Sequence, residues 1–316
     1  MSINVTNIII FNILSFICIR FKYISFYKSF NSDKDLSLTL KSLKEINYKL
    51  LESDKNRTDF FANMSHELKT PINVIYGAEQ LLAQQFKNED INIKKSETYV
   101  KSIKQNSYRL IRLLNNILDI TKIDSSAYDI KLENIDIIYT VETIVDSVAE
   151  FIKSKGLNII FDTNVEEKII AIDEDKLERI ILNLLSNAIK FTDAGGTIFI
   201  NMYEEKDYMT ISVKDTGIGI DDSMKKAIFD RFIQIDKSMS RNSEGSGIGL
   251  SLVKSLVNMH EGKINLISSP GEGSEFIISF PDIKINSFND TNKFLIKKPH
   301  NNKISKIQVE FSDIYQ

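Results

Sequence analysis

The spacing of apolar residues changes once along this chain, and that change limits what it can fold into. From Thr58 to about Gln85, the residues Phe61, Met64, Leu68, Ile72, Ile75 and Leu82 recur three or four positions apart, as on one face of a helix. Asn88 to Lys95 is polar and without period. From Thr98 to Ile123 a second helix is marked by Ile103, Leu110, Leu113, Leu114, Ile117 and Ile120. A hairpin of two such helices leaves an apolar stripe that needs cover. A second copy would supply it as a four-helix bundle; packing onto the rest of the chain is the alternative. Asp124-Ser125-Ser126 ends the helical period with cap and turn residues.

From Ile130 the pattern becomes short β-like runs at Leu157–Phe161, Ile169–Ile172, Thr197–Tyr203, Met209–Val213, Lys263–Ser268 and Glu275–Phe280. Helices are expected between them at about Ile138–Lys153, Glu174–Phe191, Lys225–Phe229 and Ile248–Met259. One mixed sheet covered by helices on one face is the layout this order implies, an α+β sandwich. Pro281 closes it, and residues 282–316, rich in Asn and Lys, read as a partly disordered tail of unknown role.

A length of 316 residues suits about two domains. The formal charge of −3 gives no electrostatic case for nucleic acid. One cysteine, Cys18, excludes an internal disulfide framework and a Cys-based zinc site. Met1 to Ile19 carries no charged side chain, and Arg20, Lys22 and Lys28 follow at once. A membrane helix over residues 1–24 with the remainder on the cytoplasmic side is expected, and a buried core helix is the alternative. Between them, Leu36, Leu43 and Leu50 repeat at seven with Leu40 and Ile46 inside the repeat, a coiled-coil-like linker over 25–55.

His66 lies in Phe60-Phe61-Ala62-Asn63-Met64-Ser65-His66-Glu67-Leu68-Lys69-Thr70-Pro71, and none of the other histidines has such company. A neutral imidazole can attack phosphorus, provided the opposite ring nitrogen sheds its proton, and Glu67 is the adjacent acceptor. Pro71 removes the helix bond to the carbonyl of Glu67, so a bend beside His66 is expected. Taken alone, a His-Glu pair would more often be an exposed histidine on a helix.

Further along, Asn183, Asn187 and Lys190 share one helix face in Leu182-Asn183-Leu184-Leu185-Ser186-Asn187-Ala188-Ile189-Lys190-Phe191. Amide oxygens suit Mg²⁺ and an ammonium suits phosphate; a solvated polar face is the plain alternative. Asp215-Thr216-Gly217-Ile218-Gly219 follows a strand-like run, and a carboxylate there can accept a hydrogen bond from the adenine amino group. Phe229-Asp230-Arg231-Phe232 and Gly245-Ser246-Gly247-Ile248-Gly249-Leu250 follow, the second opening a helix whose free N–H groups can face phosphates. Each box is weak or moderate alone. No GxxxxGK[ST] loop occurs.

The SHELKTP run, followed by these boxes in this order, resembles a two-component sensor histidine kinase over roughly Asp54 to Pro281. The resemblance implies a dimerisation and phosphotransfer hairpin over 56–126 and a GHKL-type ATP-binding domain over 130–281. It implies His66 as phosphoacceptor, Glu67 as general base, and Thr70 as the residue that orients a water to dephosphorylate a partner, although Thr70 also fits there structurally. It further implies ATP contacts by Asn183, Asn187, Lys190, Phe191, Asp215, Gly217, Gly219, Phe229, Phe232, Gly245, Gly247, Gly249, Leu250 and Ser274, with Asn187 holding Mg²⁺. Residues 236–246 would form a lid over ATP, and Gln234 stands where some members carry arginine. The implied partners are a second copy, a separate response regulator and the membrane. A non-catalytic dimeric scaffold of the same fold, or another GHKL ATPase, is the rival. The scaffold would show a damaged box, and another GHKL ATPase would lack the His66 hairpin.

Overall fold

A computed structural model describes residues 2–88, 92–125, 127–231, 233, 247–285, 303–312 and 314. The chain divides into two compact units, Met1–Ala62 and Asn63–Gln316. The first unit is helical wherever it is described, as part of α1 (Ser2–Lys87). A stretch within Asn7–Glu52 is long and apolar enough to cross a membrane, with a mean hydropathy of 1.7. Leu36, Leu43 and Leu50 are all exposed.

In the second unit, the remainder of α1 and α2 (Ile93–Asp124) form the expected hairpin. α2 begins earlier than the polar run suggested, because Asn92 caps it: its side chain accepts from Lys95 N at 3.1 Å. Ser96 Oγ donates to Gln85 Oε1 at 2.8 Å and ties the two helices beside their connection. Pro71 is accommodated inside α1, and the helix assignment continues on either side of it.

The remaining elements are β1 (Glu133–Asp136), α3 (Ile137–Ser154), β2 (Asn158–Thr163), β3 (Ile169–Ile172), α4 (Glu174–Phe191), β4 (Thr197–Glu205), β5 (Tyr208–Asp215), α5 (Gly249–Met259), β6 (Lys263–Ser269), β7 (Gly273–Pro281) and α6 (Lys303–Glu310). The main sheet has the order β2-β4-β5-β7-β6, with β2 and β4 parallel and the other pairs antiparallel. Alternation sets its inner face: Ile198, Ile200 and Met202 of β4, Met209, Ile211 and Val213 of β5, and Phe276, Ile278 and Phe280 of β7 are buried. Against them pack the apolar stripes of α3 (Val141, Val145, Val148), α4 (Leu177, Ile181, Leu185) and α5 (Leu252, Val253, Leu256). Each such side chain contributes about 1.5–3 kcal/mol on burial.

Three expectations are corrected. The single sheet is in fact two, because β3 leaves the main sheet and pairs antiparallel with β1, a strand with one apolar residue that no period announces. The helix expected at Lys225–Phe229 is only a 3₁₀ turn at Ala227–Phe229. The tail contains α6, and Phe311 just after it is fully buried in the main core.

Asp173 caps α4, accepting from Lys176 N at 3.2 Å, and Glu174 and Asp175 complement the helix dipole. The backbone N–H of Asp173 is in turn received by His260 Nε2 at 3.3 Å, while His260 Nδ1 lies 2.8 Å from the carbonyl of Leu256. These two partners fix a neutral ring with its proton on Nδ1. Burial holds the His260 pKa below its ordinary 6.5. The unfolded chain therefore takes up this proton first. Stability is full above pH 6.5 and falls as the pH drops through that value toward the lower folded pKa. Denaturant unfolding between pH 7 and 5 should show this loss at up to about 1.4 kcal/mol per pH unit, and His260→Asn should flatten that slope while lowering stability at pH 7.

Candidate active site

The Asp215 end of the site is assembled by backbone geometry. β5 delivers Asp215 to the edge of the core, where Gly217 N (2.9 Å) and Ser274 N (3.2 Å) both donate to its Oδ1. Its other oxygen, Oδ2, makes no hydrogen bond among the described residues and is left to meet a donor. Burial pushes the carboxyl pKa up, against these two backbone donors, which pull it down. Gly217 has no alternative at its position, since a Cβ there would fall 2.2 Å from the carbonyl oxygen of Phe191. That same carbonyl accepts from Ile218 N at 3.2 Å, so the loop after β5 is sewn to the end of α4.

A second seam runs from this loop to the turn before β7. Gly271 N donates to Ile218 O at 2.7 Å, and Ile220 N donates to the buried Ser268 Oγ at 2.8 Å. Ser268 Oγ also lies 2.8 Å from Gly273 O and 3.0 Å from Ser274 Oγ. Ser274, expected as a nucleotide contact, is buried, and its polar atoms are engaged by Asp215 and Ser268. Its backbone N–H thus helps to hold Asp215.

α4 supplies the middle of the site. Asn183 is buried, and its Nδ2 donates to Arg179 O at 2.9 Å. Its Oδ1 is buried without a partner and faces the first residue of α5, since a Cβ on Gly249 would lie 2.8 Å from it. A side chain at 249 would therefore crowd this oxygen. Asn187, one turn on, is half-buried, as are Lys190 and Phe191, with Lys190 Nζ 5.1 Å from the Phe191 ring centroid. No side chain caps α5, in contrast to Asn92, Asp136 and Asp173 on α2, α3 and α4. Gly247 and Leu250 flank that helix start and are half-buried. Phe229 stands edge-on to Phe276 at 6.3 Å under the Lys254 ammonium. Gly219 has a left-handed φ of 71°. Phe232, Gly245, Gln234 and the expected lid over 236–246 lie outside the described residues.

No group of three or more His, Cys, Asp or Glu that could hold a metal occurs among the described residues. Neutral amide oxygens are the hard donors at hand. The orphaned Oδ1 of Asn183 beside the half-buried Asn187 is compatible with a hard divalent cation that takes its remaining ligands from phosphate and water.

On the hairpin, His66 is exposed, Glu67 is half-buried and Thr70 is exposed. Thr70 Oγ1 points back to His66 O at 3.4 Å. Nineteen residues back from Gln85 and nineteen on from Ser96 lie His66 and Asn115. Antiparallel helices of equal rise therefore put them at about the same level. At that level α4 meets the hairpin: Arg179 Nη2 donates to Asn116 Oδ1 at 2.7 Å, and Arg179 Nη1 pairs with the Asp119 carboxylate. Arg231 adds a bidentate pair to Asp124, at 2.7 and 2.5 Å. Tyr128 sits at the same junction, and its hydroxyl pKa is pushed up to about 12 by burial and by the charge of Asp119. Arg179, Ser268 and His260 were not candidates on sequence; each acts through a partner remote in the chain.

Comparison with known proteins identifies both halves. Residues 56–126 match the His Kinase A (phospho-acceptor) domain, and residues 172–284 match the histidine kinase-, DNA gyrase B-, and HSP90-like ATPase. The chain is 34% identical over 244 residues to hybrid signal transduction histidine kinase D of Dictyostelium discoideum, covering 76% of this chain and 16% of that protein. It is 37% identical over 237 residues to the autoinducer 2 sensor kinase/phosphatase LuxQ of Vibrio vulnificus, covering 73% and 27%. The chain thus spans under a third of the length of these relatives. Full-length ShkA, solved in complex with AMPPNP, superposes with a TM-score of 0.54 at 25% identity, over 72% of this chain and 46% of that one. If Asp215 Oδ2 receives a donor from the base, Asp215→Ala should weaken ATP binding about 10- to 100-fold. Calorimetric titration should show this loss alongside a melting temperature close to that of the parent.

Proposed function

This chain belongs to the two-component sensor histidine kinases, and from that premise we propose that it binds ATP in its C-terminal domain and phosphorylates its own His66. The observation that carries this reading is the junction at Arg179. It joins the helix bearing Asn183 and Asn187 to the hairpin at the level of His66. Asp215 would read the adenine amino group. Lys190 and the uncapped start of α5, with Gly247, Gly249 and Leu250, would meet the phosphates, and Phe191 and Phe229 would line the nucleotide. Phe232 and Gly245 complete the proposed set on motif grounds alone.

A neutral His66 ring nitrogen attacks the γ-phosphorus. A nitrogen–phosphorus bond forms as the bond to the bridging oxygen of ADP breaks. The proton on the opposite ring nitrogen passes to the Glu67 carboxylate. Asn187, backed by Asn183, would hold Mg²⁺, which when bound neutralises charge on the phosphate oxygens. The phosphoryl group then moves to an aspartate of a separate response regulator, and Thr70 would direct a water for its later removal.

The exposed Ile111, Leu114 and Leu118 form a stripe on α2 that a second hairpin would cover, so the working form is a homodimer. The apolar stretch within Asn7–Glu52 would anchor it, with Arg20, Lys22 and Lys28 on the cytoplasmic side.

Incubation with γ-labelled ATP should place an acid-labile, alkali-stable label on the chain, and His66→Gln should abolish it while ATP still binds. Label persisting in that variant, or residing on Ser or Thr, would refute the assignment. Thr70→Ala should leave labelling within about threefold, because the hydroxyl takes no part in attack by the ring nitrogen. The same change should slow dephosphorylation of the regulator; parallel loss of both rates would mean that the bond to His66 O is its whole role.

A further inference from the structure

The C-terminal segment contacts the hairpin and the nucleotide-binding body at once. On the hairpin side, Arg112 Nε pairs with Glu310 Oε2 at 3.2 Å, with both side chains nearly buried. Tyr108 Oη donates to Gln308 Oε1 at 3.0 Å, and Gln105 Nε2 reaches Ser312 O at 3.4 Å. On the body side, Lys306 Nζ pairs with Glu178 at 2.8 Å and Asp175 at 3.1 Å, both on the first turns of α4. Phe311 stacks on Phe151 of α3, and Lys155 Nζ donates to Ile314 O at 2.6 Å. The charges are matched at both ends: a lysine of α6 meets two carboxylates of α4, and a glutamate of α6 meets an arginine of α2. Nothing in the proposed chemistry of His66 and ATP uses any of these groups.

We propose that residues 303–312, with Ile314, are a strap in cis that restrains the kinase, holding the phosphoacceptor hairpin on the nucleotide-binding body and letting go during turnover. This rests on the reading of His66 and ATP given above. One ring nitrogen of His66 must meet the γ-phosphate and later a regulator's carboxylate, and two such bulky partners cannot occupy it together. The nucleotide-binding body must therefore approach and withdraw. A segment bonded to α2, α3 and α4 at once opposes that motion, whatever its direction. The strap touches the opening turns of α4 through Asp175 and Glu178, so it acts on the helix that carries Asn183 and Asn187.

The test uses the full chain in detergent with γ-labelled ATP, reading the initial rate of labelling, the melting temperature and amide hydrogen exchange over residues 105–112. Arg112→Glu places like charges together and should raise the rate about fivefold, equivalent to about 1 kcal/mol, and should speed exchange in that stretch. Adding Glu310→Arg restores an opposite pair and should return both readings toward the parent. Deleting residues 303–316 should act in the same direction, but it also removes the buried Phe311 and is judged only if the melt remains cooperative. A rate that is unchanged or lower in Arg112→Glu, or one that the charge swap does not reverse, overturns the restraining role. Exchange unchanged by Arg112→Glu overturns the contact itself. If the parent takes no label on His66, the kinase reading falls and the restraining role with it, while the exchange arm still decides whether the strap is there.

Discussion

Arg179 holds two architectures in one arrangement. Its guanidinium engages Asn116 and Asp119 of α2, and its carbonyl receives Asn183 Nδ2 of α4. A planar group with five donors in fixed directions suits such a joint, since it can satisfy an amide and a carboxylate on one helix together. The pair is largely shielded from water, so losing either partner would leave a charge without its counterpart at low solvent exposure. Tyr128 closes the same corner: the Asp119 charge acts on its hydroxyl, and the Lys176 ammonium lies 4.7 Å from its ring centroid. The chain leaves the hairpin and enters the sheet domain through a cluster in which each charge answers another.

In the nucleotide-binding body, the groups proposed for the site are held by main chain. Asp215 is fixed by two N–H groups, Ser274 is turned inward, and Ser268 links two turns. His260 joins the end of α5 to the start of α4 through a single ring. The two helices that carry the asparagines and the glycine box are thus tied at the ends remote from the site.

Much of this was legible in the sequence where structure is set by near neighbours. α4 runs from Glu174 to Phe191 as its period predicts, because its apolar stripe, its Asp173 cap and its acidic first turn all agree. β3 keeps the bounds Ile169–Ile172, since a short wholly apolar run bounded by polar residues admits little else. Its partner was not legible: Glu133-Asn134-Ile135-Asp136 has the composition of a loop and becomes a strand only through bonding to β3. The helix expected before Phe229 shrank to a 3₁₀ turn for want of an apolar face long enough to pack. Arg179 reads as one more charge on the polar side of a helix until a distant helix supplies Asp119. Phe311, in an Asn- and Lys-rich tail, has no local signal that it will end in the core. Phe61, Ile72 and Leu114 did follow the helical period, yet they stay exposed in one chain, as a stripe meant for another copy would.

The stitching around Asp215 has a consequence for selectivity. The loop bearing Gly217 and Gly219 is bonded to Phe191, Ser268 and Gly271 by groups of the protein itself. Its shape is preorganised, and the ordering entropy of this wall falls on folding, not on ligand entry. On the reading proposed for this site, a base meeting Asp215 would find the acceptor already held in place, so discrimination between an amino group and a carbonyl oxygen would be set before the ligand enters.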